Sequence, residues 1–309
     1  MMQFLDQLKL GWEVLSKIES EMHNRSSTEI ERTPHPQGIT PINWTVTPPT
    51  LQDLIDEIGN LPPNAIIIGA CEDRSHLFLD LTDPRPGSIL IVGDHQSGKT
   101  HLLQAILASA GKLNPPRRVR YGIITPAVSE MIYLAGQPHC YQAVSAASGE
   151  AGDLVLELAD IVEQRRNGFQ AGAAFILAID DLAQSINKLG EEMIEQFCWL
   201  VRCGPEARIW TVASLNTEDL ESMDTTMLEM FDTRLFGNIN SSDIPEVLGN
   251  YPNTRPNELQ KGQQFGILFG EEWIPFWVPV VEAPSKSIPR KIIHHQEVPH
   301  ERRNALVRQ

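Results

Sequence analysis

Eight consecutive residues form the pattern in this sequence that most directly specifies chemistry. They are Gly93, Asp94, His95, Gln96, Ser97, Gly98, Lys99 and Thr100, and they fit the phosphate-binding pattern G-x-x-x-x-G-K-[ST]. In such a loop the backbone amides surround the phosphates, the lysine reaches the β and γ phosphates, and the last hydroxyl ligates Mg²⁺. The pattern predicts a site for ATP and Mg²⁺, and we include the next residue, His101, in the nucleotide-binding set.

Two adjacent carboxylates follow an apolar run. Asp180 and Asp181 come directly after Phe175–Ile179, a run that is typical of a buried strand. A site that hydrolyses a nucleotide needs one carboxylate for the Mg²⁺ shell and a second group to position the attacking water. We expect Asp180 to take the first role, as a metal-site residue, and Asp181 the second. The alternative is that the pair caps a helix that begins after the strand.

A third polar group follows the apolar run Ile209–Ser214. In proteins with a phosphate-binding loop, a polar side chain at the end of the neighbouring strand contacts the γ-phosphate or its water. Ser214 or Asn216 is placed to do so, and we take Asn216 as the candidate catalytic residue. The alternative is a simple turn without a role in the chemistry.

Strands and helices alternate around these residues. Strands are predicted at 65–69, 76–81, 88–92, 119–125, 175–179, 209–214, 234–239, 264–269 and 273–280. Helices are predicted at 51–58, 100–110, 153–166 and 191–202. Continuous apolar strands that alternate with helices are typical of an α/β fold, a mostly parallel sheet with helices on both faces.

The composition divides the chain into three predicted regions. Residues 1–60 form an N-terminal extension, with an amphipathic helix inside 1–32 and a proline-rich linker after it. Residues 61–283 form the core, and residues 284–309 form a basic tail. The tail has six basic and two acidic residues, a net charge of +4, whereas the whole chain carries −15. The rest of the chain is therefore strongly acidic and repels nucleic acid.

Targeting and cysteine patterns add little. The N-terminus does not resemble a secretory signal and the longest apolar runs are too short for a membrane span, so we expect a cytoplasmic protein without an integral membrane segment. The four cysteines lack metal-ligand or paired spacing, so we expect neither a zinc site nor a disulfide framework.

The order of short motifs resembles that of the FtsK/HerA superfamily of P-loop ATPases. The resemblance covers 66–281. Ile68-Gly69 and 77–81 are similar to the family's "vpiGxd … vyxDL" hairpin, and 163–166 is similar to the end of its "EMERR" helix. Phe231-Asp-Thr-Arg234 resembles "iPTR", Ser241-Ser242 resembles "vSS", and 259–269 resembles "LGRGDmLf". The chain departs from the family at 213–217, where Ala-Ser-Leu-Asn-Thr stands in place of "ATQRP", and at 261–264, where the aspartate is absent.

The resemblance implies a RecA-like core in a ring-forming ATPase, a hexamer, that couples ATP hydrolysis to translocation of a polymer, most plausibly DNA. It also implies that ATP lies between subunits and that an arginine from the neighbour acts on it. Arg202 is the first candidate, because it ends the helix 191–202 between the predicted strands 175–179 and 209–214. Arg234 is the second candidate. The alternative function is a nucleotide-gated assembly or secretion ATPase that acts on a protein partner with weak hydrolysis. The absence at 213–217 of the glutamine found in the family's "ATQRP" favours this alternative.

Overall fold

The structure is a computed structural model that describes residues 47–59, 61–73, 75–169, 171–240, 254–269 and 272–282. The chain divides into two compact units, Met1–Thr47 and Pro48–Gln309, and the elements below belong to the second. The predicted N-terminal helix and the basic tail lie outside the described residues. The division into regions 1–60, 61–283 and 284–309 therefore stays a prediction.

The described residues form seven α-helices, which we number in chain order. They are α1 (Leu51–Ile58), α2 (Lys99–Leu113), α3 (Ile132–Ala135), α4 (Gly149–Arg166), α5 (Leu182–Ile186), α6 (Glu191–Cys203) and α7 (Thr225–Glu229). Their starts differ chemically. Thr50 and Asp53 form a capping box at α1, whereas α2 begins after Gly98 without any side-chain cap. The first amides of α2 are therefore available to a phosphate group.

The strands belong to one ten-stranded sheet. They are β1 (Ala65–Cys71), β2 (His76–Asp80), β3 (Ile89–Gly93), β4 (Val119–Thr125), β5 (Cys140–Ser145), β6 (Ala174–Ile179), β7 (Ile209–Asn216), β8 (Thr233–Phe236), β9 (Gln264–Phe269) and β10 (Glu272–Trp277). Their order across the sheet is β2-β1-β10-β9-β8-β3-β7-β6-β4-β5. The strands from β8 to β5 pair in parallel, and the pairs from β8–β9 to β1–β2 are antiparallel.

Helices cover both faces of the parallel part. Phe175, Leu177 and Ile179 of β6 pack in one buried cluster with side chains of α4 and α6. The alternate residues Ile176 and Ala178 point to the opposite face, where α2 contacts β1, β3, β4 and β7. Every residue of β3 and β6 is buried, as expected for central parallel strands between two helical layers. The predicted α/β architecture is confirmed.

The predicted elements differ from the observed ones in a few places. Strand β5 was not predicted, because it lies at the sheet edge and most of its residues are only half-buried. The short helices α3, α5 and α7 were also missed, since five or fewer residues show no helical periodicity. The predicted strand 234–239 ends at Phe236, where the backbone of Gly237 passes so close to Ser97 that a Cβ would lie 3.0 Å from Ser97 Oγ.

No helix among the described residues is long and apolar enough to cross a membrane.

Candidate nucleotide-binding site

The residues predicted to do chemistry meet along the edge of the sheet that is formed by the carboxyl-terminal ends of its parallel strands. The parallel strands β3, β6 and β7 all end there, and Gly93 at the end of β3 pairs with Asn216 at the end of β7. Asp180 follows β6, the next strand across the sheet. Ligands of open α/β sheets bind at the carboxyl ends of the strands, so this edge is the candidate site.

The loop from Gly93 to Thr100 needs its glycines. At Gly93, a Cβ would lie 2.4 Å from Ser97 Oγ. Gly98 has φ +94, a left-handed conformation that L side chains avoid, and its Cβ would lie 2.9 Å from Gly262 Cα. The loop is thereby closed tightly before α2 begins.

A turn at 261–263 packs on this loop. The Gly262 amide donates to the Ser97 carbonyl at 3.2 Å, and the His101 ring hydrogen-bonds the backbone of Gly262. Burial lowers the pKa of His101, so the imidazole is neutral at physiological pH. His101, predicted as a nucleotide-binding residue, is thus placed between α2 and this turn.

The packing of Gly98 against the turn predicts the effect of a substitution on stability. Gly98→Ala should lower the free energy of unfolding by about 2 kcal/mol, because alanine is strained at positive φ and its methyl group collides with Gly262. Gly149→Ala is the matched control, since nothing lies within 4 Å of the added Cβ. Urea unfolding of both variants measures the difference, and equal stabilities would contradict the argument.

The side chain of Lys99 lies inside the phosphate-binding loop. Its Nζ donates to the carbonyl oxygens of Gly93 at 3.0 Å and Asp94 at 2.8 Å, and the residue is 8% exposed. Burial lowers its pKa, and the nearby carboxylates of Asp180 and Asp94 oppose that shift. An ammonium held by neutral carbonyls is ready to exchange them for phosphate oxygens, which are stronger acceptors.

Thr100 and Asp180 form the candidate metal-binding pair. Thr100 Oγ1 lies 3.0 and 3.1 Å from the two carboxylate oxygens of Asp180, and Ser214 Oγ donates to Asp180 Oδ1 at 2.8 Å. Burial raises the pKa of Asp180, although the hydrogen bonds from Ser214 and Thr100 lower it. A buried carboxylate beside a hydroxyl fits Mg²⁺, which takes oxygen ligands and relieves such a buried charge.

Asp181 stands next to the pair in a left-handed backbone conformation, with φ 59. Its amide donates to Ser214 Oγ at 2.9 Å, and its Oδ1 accepts the Gln184 amide at 3.0 Å. The carboxylate therefore caps α5, which is the alternative role considered above for the pair, while Asp180 does not cap. Its position beside Asp180 keeps it available as the water-positioning group, a role that stays a prediction.

The two polar candidates at the end of β7 have different neighbours. Ser214 contacts Asp180, as described, whereas Asn216 Nδ2 donates to Asp219 at 3.1 Å. Leu215 between them is fully buried. Ser214 is thus joined to the candidate metal-binding pair, and the γ-phosphate contact assigned to Asn216 stays a prediction.

The two candidate arginines lie away from the loop of their own chain. The carbonyl of Val201, next to Arg202, accepts a 2.7 Å hydrogen bond from Ser88, which precedes β3. Arg202 is therefore near the edge of the sheet opposite to Gly93, and it is exposed. Arg234 pairs with Leu90 within the sheet and donates to the Leu228 carbonyl at 3.2 Å. An arginine that serves a neighbouring subunit need not be near its own loop.

Three groups at the site were not predicted from the sequence. They are the side-chain contact between Asp94 and Thr217, the contact between Asp94 and Asn240, and the packing of Gly262 on the loop. The carboxylate at the second position of the loop was the signal available for the first two, since it must find hydrogen-bond donors nearby.

Comparison with known proteins gives the family and the fold. The FtsK/SpoIIIE family model matches residues 63–235, more than half of the chain. No curated protein matches significantly. Among solved structures, ATPases 2 and 3 of Thermomonospora curvata EccC with a signal sequence peptide share 18% identity and a TM-score of 0.58, over 82% of this chain and 46% of that one.

Two further solved structures agree in fold. EssC ATPases 2 and 3 from Geobacillus thermodenitrificans share 16% identity and a TM-score of 0.58, over 74% of this chain and 49% of that one. The pCW3 conjugation coupling protein TcpA, solved with ATPγS, shares 16% identity and a TM-score of 0.58, over 75% and 69%. The chain spans about half the length of the EccC and EssC structures, and likeness at this identity shows the RecA-like fold alone. On the match over residues 63–235, the chain belongs to the FtsK/SpoIIIE family and carries an ATPase domain of that type.

Proposed function

We propose that this chain binds ATP with Mg²⁺ at the loop described above, hydrolyses it, and works as a subunit of a hexameric ring that moves a polymer, with DNA as the first candidate. The observation that supports the chemistry is the convergence of Lys99, Thr100 and Asp180, which come from two separate stretches of the chain. Phosphate and Mg²⁺ need a cation, a hydroxyl and a carboxylate together.

Each residue has a separate role in the proposed reaction. The loop amides and Lys99 hold the phosphates, and Thr100 with Asp180 would hold Mg²⁺. The metal ion, when bound, neutralises negative charge on the phosphates. Asp181 accepts a hydrogen bond from the attacking water and holds it in line with the γ-phosphate. Ser214 Oγ donates to the Asp180 carboxylate and accepts from the backbone amide of Asp181, so it fixes the side chain of one residue and the backbone of the other.

The transition-state charge needs a further cation, which the proposed ring supplies from the neighbouring subunit. Arg202 is the first candidate and Arg234 the second. Both arginines lie near Asp232, whose carboxylate is exposed, since the charges of Arg234 and Arg202 oppose the rise in its pKa that partial desolvation causes.

The cargo is a separate question, and a protein is the second candidate. The acidic body of the chain opposes DNA, and the glutamine expected from the resemblance is replaced by buried Leu215. The EccC structure contains a signal sequence peptide, whereas TcpA is a conjugation coupling protein. The basic tail at 284–309 is the segment of this chain best suited to nucleic acid.

Asp181→Asn tests the hydrolytic role. Asparagine tolerates the left-handed backbone and still caps α5, so the fold and ATP binding should persist. Turnover should fall about 100-fold, because the side chain can no longer act as the water-positioning carboxylate. Asp181→Ala is the control for capping, because alanine removes the cap of α5 as well as the carboxylate. This variant should lose turnover and should also have a lower free energy of unfolding. Turnover within a few-fold of the wild type would assign Asp181 to capping alone.

The cargo is tested by ATP turnover with and without double-stranded DNA, with the particle mass measured in each nucleotide state. DNA-stimulated turnover in a ring-sized particle, with a stimulation that falls steeply as salt rises, would support a DNA motor. Turnover without any DNA effect would favour the protein-directed alternative. Nucleotide binding with negligible turnover would favour a nucleotide-gated scaffold.

A further inference from the structure

The side chain of Asp94 joins the phosphate-binding loop to the strands on both of its sides. Its Oδ1 accepts from Thr217 Oγ1 at 2.5 Å. Its Oδ2 accepts from the amide of Asn240 at 2.9 Å and from Asn240 Nδ2 at 3.2 Å. Thr217 follows β7 and Asn240 follows β8, and these strands are the two neighbours of β3. One carboxylate therefore links three adjacent strand ends.

The backbone of the same residue contacts the phosphate-binding lysine. The Asp94 carbonyl accepts from Lys99 Nζ at 2.8 Å, and its amide donates to the Asn238 carbonyl at 3.0 Å. Burial raises the pKa of Asp94, but the hydrogen bonds from Thr217 and Asn240 and the charge of Lys261 together lower it by more, so the net shift is downward. Asp94 is ionised at neutral pH, and its hydrogen bonds are charge-assisted.

Strand β7 carries a second contact to the site. Ser214, three residues before Thr217, donates to Asp180, which accepts from Thr100. A continuous path of contacts thus runs from Lys99 through Asp94 and Thr217 into β7, and from Ser214 to Asp180. The path joins Lys99, which is proposed to bind the phosphates, to Asp180, which is proposed to hold Mg²⁺.

We propose that Asp94 is a positioning residue that couples the phosphate-binding loop to the end of β7, so that phosphate contacts and the orientation of Asp180 are set together. The proposal rests on the proposed ATP and Mg²⁺ site. At the position where the resemblance places a glutamine, the chain has buried Leu215, and the Asp94–Thr217 bond supplies a polar connection between β7 and the loop instead.

The test removes one link and restores it. Thr217→Val deletes the hydroxyl with little change in shape, and Thr217→Ser returns it. Loss of a charge-assisted hydrogen bond changes an equilibrium or rate constant by about 10-fold. In the valine variant, kcat should therefore fall about 10-fold, while the Kd for ATPγS without Mg²⁺ should stay within about 3-fold of the wild-type value. The gain in ATPγS affinity on adding Mg²⁺ should shrink by a similar factor, and the serine variant should recover both.

Thr211→Val is the matched control. Thr211 also lies on β7, is fully buried, and its Oγ1 has no hydrogen-bond partner among the described residues. Its removal should leave kcat and the Mg²⁺ effect unchanged. The coupling is overturned if Thr217→Val matches this control, if Mg²⁺-free affinity falls as much as kcat, or if serine fails to rescue.

The outcomes separate this inference from the proposed function. A wild type that binds Mg²⁺ and ATPγS but does not turn over ATP refutes hydrolysis, and the Mg²⁺ effect on affinity still tests the coupling. A wild type that turns over ATP beside an unaffected valine variant refutes the coupling alone. A wild type that does not bind nucleotide refutes both.

Discussion

Replacing Lys99 by alanine should reduce ATP turnover about 1000-fold, the effect of removing a preorganised and charged donor from a phosphate transition state. Lys99 is the buried cation inside the loop, where its Nζ already lies 2.8 to 3.0 Å from two loop oxygens. Loss of this charge leaves the loop with amides and no ammonium, so the affinity for ATP should fall as well.

The fold should survive this change. Burial disfavours the charged form of Lys99, as its lowered pKa indicates, so removing the ammonium takes away an unfavourable group together with its three hydrogen bonds. Thermal unfolding of Lys99→Ala should therefore stay close to that of the wild type. Lys112→Ala is the matched control, because Lys112 lies on the same helix, is exposed, and should have no effect on turnover.

Turnover and ATPγS binding, measured side by side, decide the outcome. Loss of both in Lys99→Ala with normal unfolding supports the proposed role. Turnover within about 10-fold of the wild type would show that the loop is not where the chain hydrolyses ATP.

The core of the site was predictable from the sequence because its chemistry is local. Eight consecutive residues specify the loop, and two carboxylates at the end of an apolar strand indicate the candidate metal-binding position, which stays a prediction. Strand periodicity then implied a parallel sheet, which brings such strand ends to one edge. The contact between Thr100 and Asp180, eighty positions apart, follows from that topology.

What could not be predicted depends on contacts between distant residues. Asp94 and Thr217 are separated by 123 positions, and neither residue type identifies the other as its partner. The packing of Gly262 on the loop likewise depends on the antiparallel strand β9 joining the sheet beside β8. Strand β5 was missed because an edge strand has weaker apolar patterning than a central one.

Arg202→Ala should reduce turnover about 1000-fold while ATP binding persists, if Arg202 stabilises the transition state from the neighbouring subunit. Arg202 is exposed near the sheet edge opposite to its own loop, so its loss removes no contact to its own nucleotide. Arg166→Ala is the matched control, since Arg166 pairs with Glu206 at 3.5 Å on the surface and should not affect turnover.

Mixing two inactive variants gives the sharper measurement. Arg202→Ala keeps an intact loop and Lys99→Ala keeps the arginine, so a mixed ring contains interfaces that combine both intact parts. With random assembly in equal amounts, about one interface in four is complete, and turnover should recover toward that fraction. Mixed particles that stay inactive, or an active Arg202→Ala protein alone, would exclude Arg202 and make Arg234→Ala the next variant. Recovery cannot arise if each chain hydrolyses ATP by itself, so the experiment tests the ring and the arginine together.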